Sequence, residues 1–137
     1  MFDKVLVAID ESEPATHALE HAAGLADLSK GSVQVVHVRE HVTARGASWY
    51  VTDEEDARAL VDGAVARLRD RGVEVAGVVL HGTQGRVADT IWDQAETWGA
   101  DVVVLGSHGR TALGGILLGS VANRVIHLAR GPVLVVR

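Results

Sequence analysis

The sequence predicts an α/β fold: a single open sheet of five parallel strands with four helices on both faces. Three observations carry that expectation. Short apolar runs such as Val5-Leu6-Val7-Ala8-Ile9 and Val102-Val103-Val104-Leu105 read as strands buried on both faces. Between such runs, apolar residues recur at helical spacing, and this alternation gives parallel strands joined by right-handed crossovers. The 137 residues are enough for one domain with a real core, taken as one unit over 1–137.

Each element has its own signal. The first strand ends at Asp10, and Ser12 caps the first helix with Pro14 in its opening turn. Ala15, Ala18, Leu19, Ala22, Leu25 and Ala26 form that helix's apolar face, and Gly31 ends it. Val33-Gln34-Val35-Val36-His37-Val38 is the second strand. Residues 39–51 then make the longest connection, carrying Gly46 and the pair Trp49-Tyr50. Long connections in compact domains are usually functional or disordered, and this one leaves the carboxyl end of a strand, where a ligand crevice is expected. Thr52 and Glu55 form a capping box for a second helix, with Ala57, Leu60, Val61, Ala64, Val65 and Leu68 on its apolar face. Its acidic start and basic end suit the helix dipole, and Gly72 stops it. Residues 73–80 are the third strand, and Val87, Ala88, Ile91, Trp92 and Ala95 mark the buried side of a third helix. Residues 101–105 are the fourth strand. Ser120, preceded by Gly119, is the expected cap of a fourth helix carrying Val121, Ala122, Val125, Leu128 and Ala129. Val133-Leu134-Val135-Val136 is the fifth strand.

Composition narrows the function. Hydrophobic content of 47% and charged content of 23% are ordinary for a globular protein. A formal charge of -5 without a basic cluster argues against nucleic acid, and requires any bound anion to be held by local dipoles. The absence of cysteine excludes disulfides and cysteine metal sites and suits a reducing compartment. No signal core and no membrane-length apolar run is visible, so the expectation is a cytoplasmic protein without a membrane partner.

The most specific pattern is G-x2-G-x9-G-S, formed by Gly106, Gly109, Gly119 and Ser120. A strand leading through glycines to a helix start can hold phosphate without lysine, because small residues let backbone N–H groups and the helix dipole approach anionic oxygen. Turn glycines alone would also account for Gly106 and Gly109. Together with the buried strand before it and Gly131-Pro132-Val133-Leu134-Val135-Val136 after it, the pattern resembles the ATP-binding branch of the universal stress protein family over nearly the whole chain.

That resemblance implies a Rossmann-like sheet of order 3-2-1-4-5, with a ligand crevice where the winding reverses between strands one and four. It implies ATP, with magnesium, as the ligand. Asp10, in the run Ala8-Ile9-Asp10-Glu11-Ser12, matches the family's aspartate and would hold ribose hydroxyls or a metal-bound water. Ala8 belongs to the same nucleotide set. The aspartate could instead simply help Ser12 start the helix. Val38 would line the adenine slot. Gly106, His108, Gly109, Gly119, Ser120 and Val121 match ribose and phosphate contacts, and Arg110 would pair with phosphate or point to water. One departure is Val87, which stands where the family usually has proline.

Competing sites are weaker. His17 and His21 have metal-pair spacing, but no third ligand is evident. Walker A and dinucleotide-binding fingerprints are absent, and the only lysines are Lys4 and Lys30. A response regulator needs an acceptor aspartate after the third strand, where Leu80-His81 stands instead. Without a catalytic triad or a carboxylate pair, the reading is a nucleotide-dependent stress sensor or switch rather than a dedicated enzyme. Two alternatives stay open. One is a homodimeric interaction module whose glycine loop is structural. The other is slow ATP hydrolysis or self-phosphorylation, with His108 assisting or Ser120 as acceptor. Finally, the apolar fifth strand lies at a sheet edge with nothing after it to cover it, and predicts a homodimer through residues 133–136.

Overall fold

The computed structural model describes residues 1–107 and 118–137. In chain order its elements are β1 (Lys4–Ala8), α1 (Glu13–Ser29), β2 (Ser32–Ala44), β3 (Ala47–Tyr50) and α2 (Glu54–Asp70). They continue with β4 (Glu74–Thr83), α3 (Val87–Trp98), β5 (Val102–Gly106), α4 (Ser120–His127) and β6 (Val133–Val136).

Five strands lie parallel in the order β4-β2-β1-β5-β6, which is the expected 3-2-1-4-5. The sheet has a sixth strand, however, and is mixed. Residues 39–51 are not a loop: β2 continues to Ala44, turns at Arg45-Gly46, and returns as β3, antiparallel to it. Both turn residues have positive φ, 52° at Arg45 and 78° at Gly46, as a two-residue hairpin turn of the primed type requires.

Side chains alternate between the sheet's faces. Val5, Val7, Val33, Val35 and Val104 pack under α1 and α2, while Leu6, Val36, Val103 and Leu105 pack under α3 and α4. Gly77 lets α2 sit close to β4, since a Cβ there would overlap Val61 and Val65. On the other face, Trp92 Nε1 donates to Val125 O at 3.0 Å and ties α3 to α4.

Helix ends are set by local chemistry that differs in detail from expectation. Ser12 caps α1 as expected, its Oγ accepting from Ala15 N at 3.4 Å. Lys30 takes the left-handed position that ends α1, with φ 55°. Gly31 is needed for a different reason, because a Cβ there would collide with the Asp3 backbone. The cap of α2 is Asp53 rather than Thr52, with Asp53 Oδ1 accepting from Asp56 N at 2.8 Å. Thr52 is buried one residue earlier, and its carbonyl accepts from Arg39 Nε at 3.1 Å. The cap of α4 is Gly119, so Ser120 is the first helical residue rather than the cap.

Candidate functional site

β1 and β5 are neighbours, with Ala8 opposite Leu105. Past this pair the chain leaves β1 for α1 on one face, and α4 follows β5 on the other. The carboxyl ends of the two strands therefore diverge around a crevice, with Ala8 and Gly106 at its floor. Asp10 follows Ala8 by two residues. Its Oδ1 accepts from Ser12 N at 2.8 Å, so one carboxylate oxygen serves the turn that starts α1.

One wall of the crevice is the start of α4. Ser107 N donates to Val136 O at 2.7 Å, and Gly119 N donates to Ser107 O at 2.7 Å. These two bonds anchor the helix entry to the end of β5. Asn123 N donates to Gly119 O at 2.9 Å as the first helical bond, and no side chain caps the helix from Gly119. The N–H groups of Ser120, Val121 and Ala122 thus have no acceptor within the helix and lie at its positive end. Gly119 has φ -62° and ψ 158°, a backbone conformation open to any residue. His108, Gly109 and Arg110, the remaining expected phosphate contacts, lie outside the described residues.

The other end of the crevice is a gap in the sheet. Val36 O accepts from Ile9 N at 2.9 Å, and Glu40 O accepts from Val51 N at 2.9 Å. His41 O, of opposite parity, accepts from Gln84 N at 2.8 Å on the β4 side. Because backbone groups alternate between the two edges of a strand, β3 occupies the same edge of β2 as β1, beyond β1's end. Val38 lies between those two contacts, and its N–H and C=O open onto the gap. A donor and an acceptor on one residue, facing a slot, can pair with the edge of a planar heterocycle. The Val38 side chain is half-buried on the α3 and α4 side of the sheet.

Two further residues shape this end, and neither was among the expected site residues. His37 Nδ1 meets Ile9 O at 2.8 Å; since a carbonyl only accepts, that nitrogen carries the proton. This ties the end of β1 to β2 and leaves His37 Nε2 buried without a hydrogen-bond partner among the described residues. Arg39 is only 8% exposed. Its guanidinium carbon sits 3.9 Å from the Tyr50 ring centroid, and Nη1 lies 3.3 Å from His81 Nε2. For His37 the available signal is a polar residue inside an otherwise apolar strand; Arg39 falls in the expected connection and carries none. The His17 and His21 pair is engaged otherwise, His17 Nδ1 lying 2.9 Å from Arg137 O and His21 Nδ1 2.9 Å from His17 O.

Known proteins share this architecture. The family model described as "Universal stress protein family" matches residues 1–137. Universal stress protein MJ0531 of Methanocaldococcus jannaschii is 34% identical, with 100% of this chain and 83% of the relative covered. Universal stress protein MJ0577 of the same organism is 30% identical, over 100% of this chain and 96% of the relative. The solved structure of the universal stress protein from Archaeoglobus fulgidus in complex with dAMP has a TM-score of 0.74 at 30% identity, covering 100% of both chains.

Proposed function

The chain belongs to the universal stress protein family, and from that premise we propose that it is a member of the ATP-binding branch, a cytoplasmic nucleotide-dependent sensor or switch. The observation that carries the proposal is the bond from Gly119 N to Ser107 O, which sets the start of α4 at the crevice beside the end of β1. Phosphate would lie against the N–H groups of Ser120 and Val121, with Gly106, Gly109 and Gly119 allowing close approach. By the family resemblance, His108 and Arg110 would contact the same phosphates. Asp10 would hold ribose, or magnesium through water, with the oxygen that Ser12 does not use. Ala8 and Val38 would face the base. A relative of 30% identity in complex with dAMP supports an adenine nucleotide in this crevice.

A second copy of the chain is part of the proposal. Val103 N donates to Pro132 O at 3.0 Å and Ser107 N to Val136 O at 2.7 Å, so even-numbered residues of β6 address β5. Val133 and Val135 therefore direct their N–H and C=O groups to the open edge, where an antiparallel copy of β6 would pair with them.

Gly119→Val tests the phosphate assignment. The backbone angles at Gly119 suit any residue, so the variant is expected to fold, while its side chain fills the space that phosphate oxygens need. Calorimetric titration with Mg-ATP is expected to give binding to the unmodified protein and none to the variant. A folded Gly119→Val protein that binds ATP normally would remove Gly119 from the site.

A further inference from the structure

Strand β3 is not a loop end but a second occupant of β1's position in the sheet, and that placement has a chemical consequence. Val51 N donates to Glu40 O, and Trp49 lies opposite Val42 in the register. By strand alternation, Trp49 and Val51 project to the face that carries Val38, while Tyr50 projects to the α1 and α2 face. Val51 is diagonal to Val38 across the gap, a relation that sets side chains about 7–8 Å apart. Trp49 stands two residues farther out on the same face.

Both side chains remain open to solvent, Trp49 48% exposed and Val51 44%. Two large apolar groups side by side, next to a strand residue whose backbone donor and acceptor face a gap, form an apolar wall. The wall is held firmly from behind. The Arg39 guanidinium stacks on Tyr50, its Nε bonds Thr52 O, and its Nη1 lies against His81. Those contacts fix β3 and its exit toward α2 on the opposite face, so Trp49 and Val51 are presented on a fixed support rather than on a tether. Glu40, half-buried, lies directly opposite Val51 on the same face and brings a charge to the wall.

We propose that β3 closes the outer end of the base slot, with Val51 and Trp49 as the apolar wall against which the base of the bound nucleotide packs. The inference rests on the nucleotide reading above and deepens it. The helix start of α4 would hold any polyphosphate, and β3 would make the site select for a polyphosphate that carries a flat heterocycle. Aromatic and aliphatic groups contribute by packing on the base and excluding water, and they have no interaction to offer a bare polyphosphate.

The test compares ATP with inorganic tripolyphosphate, each with magnesium, on the unmodified chain, Trp49→Ala and Val51→Ser. Both positions are exposed, so both variants are expected to stay folded. Calorimetry should show ATP affinity falling about tenfold in Trp49→Ala, the scale of a lost base-stacking contact, with tripolyphosphate affinity unchanged. Val51→Ser should move in the same direction by less. If the unmodified chain binds ATP and both variants bind it equally well, the wall is overturned and the nucleotide reading stands. Equal losses for ATP and tripolyphosphate would also overturn it, because the effect would not be on the base. An unmodified chain that binds neither ligand defeats the nucleotide reading and this inference together.

Discussion

Asp53 and Asp56 share one helix entry and titrate against each other. The N–H of Asp56 bonds the Asp53 carboxylate and holds it below its ordinary value of 3.8, whereas the charge on Asp53 raises Asp56 above the same value. The signs follow from linkage. Asp53, depressed on folding, adds stability that is present above its unfolded value and is lost as pH falls through the lower folded value. Asp56, raised on folding, opposes folding above its raised value and ceases to do so as it takes up its proton. Asp53→Asn keeps an oxygen to accept from the helix N–H while removing the charge. The Asp56 carboxyl should then titrate at lower pH, moving back toward its ordinary value, as followed by carbon-detected NMR. An unmoved Asp56 midpoint would mean that the charge on Asp53 is not what raises it. The same pair shows why caps are hard to place from sequence. Thr52-x-x-Glu55 and Asp53-x-x-Asp56 both look like helix starts, and Arg39, thirteen residues before Thr52, decides between them by holding the Thr52 carbonyl. At the other helix, Gly119 and Ser120 are both acceptable caps, and the bond from Asn123 N to Gly119 O selects the glycine.

At the scale of elements, α2 meets the sheet through a missing side chain. A Cβ at Gly77 would overlap Cγ atoms of Val61 and Val65, which are stiff β-branched groups buried against β4. Gly77→Ala should therefore destabilise the fold by about 1–3 kcal/mol, the usual cost of overpacking a filled core. Urea unfolding followed by circular dichroism reads this directly, and an unchanged midpoint would show that α2 can shift at no cost. The strands that were legible in the sequence are those whose burial leaves a mark. Val5, Val7, Val33, Val35, Val102 and Val104 are almost fully buried, and so read as continuous apolar runs. β3 left no such mark. All four of its residues are exposed, and its turn carries Arg45 where a primed hairpin usually shows asparagine or glycine. Only Gly46 hints at it, so from the sequence these residues look like a connection. The glycine spacing behind the proposed phosphate site is legible because it survives any burial pattern. The gap at Val38 was not, because it depends on β3 being on β1's edge of β2.

For the whole molecule, two claims remain to be measured. In the first, β6 is an edge strand whose outward groups belong to Val133 and Val135. Val135→Pro removes an outward N–H and leaves the bonds to β5 in place. Light scattering at tens of micromolar should find the unmodified chain dimeric and the variant monomeric, with unchanged circular dichroism; an unmodified monomer, or a dimeric variant, would place the interface elsewhere. The second and central claim is that the crevice holds a nucleotide chiefly by its phosphates, at the start of α4. Denaturant unfolding with Mg-ATP or adenosine added tests it most directly. ATP at about 100 times its dissociation constant should raise the unfolding free energy by roughly 2.7 kcal/mol, and adenosine at the same concentration by far less. Equal stabilisation by the two ligands, or none by either, would contradict the account.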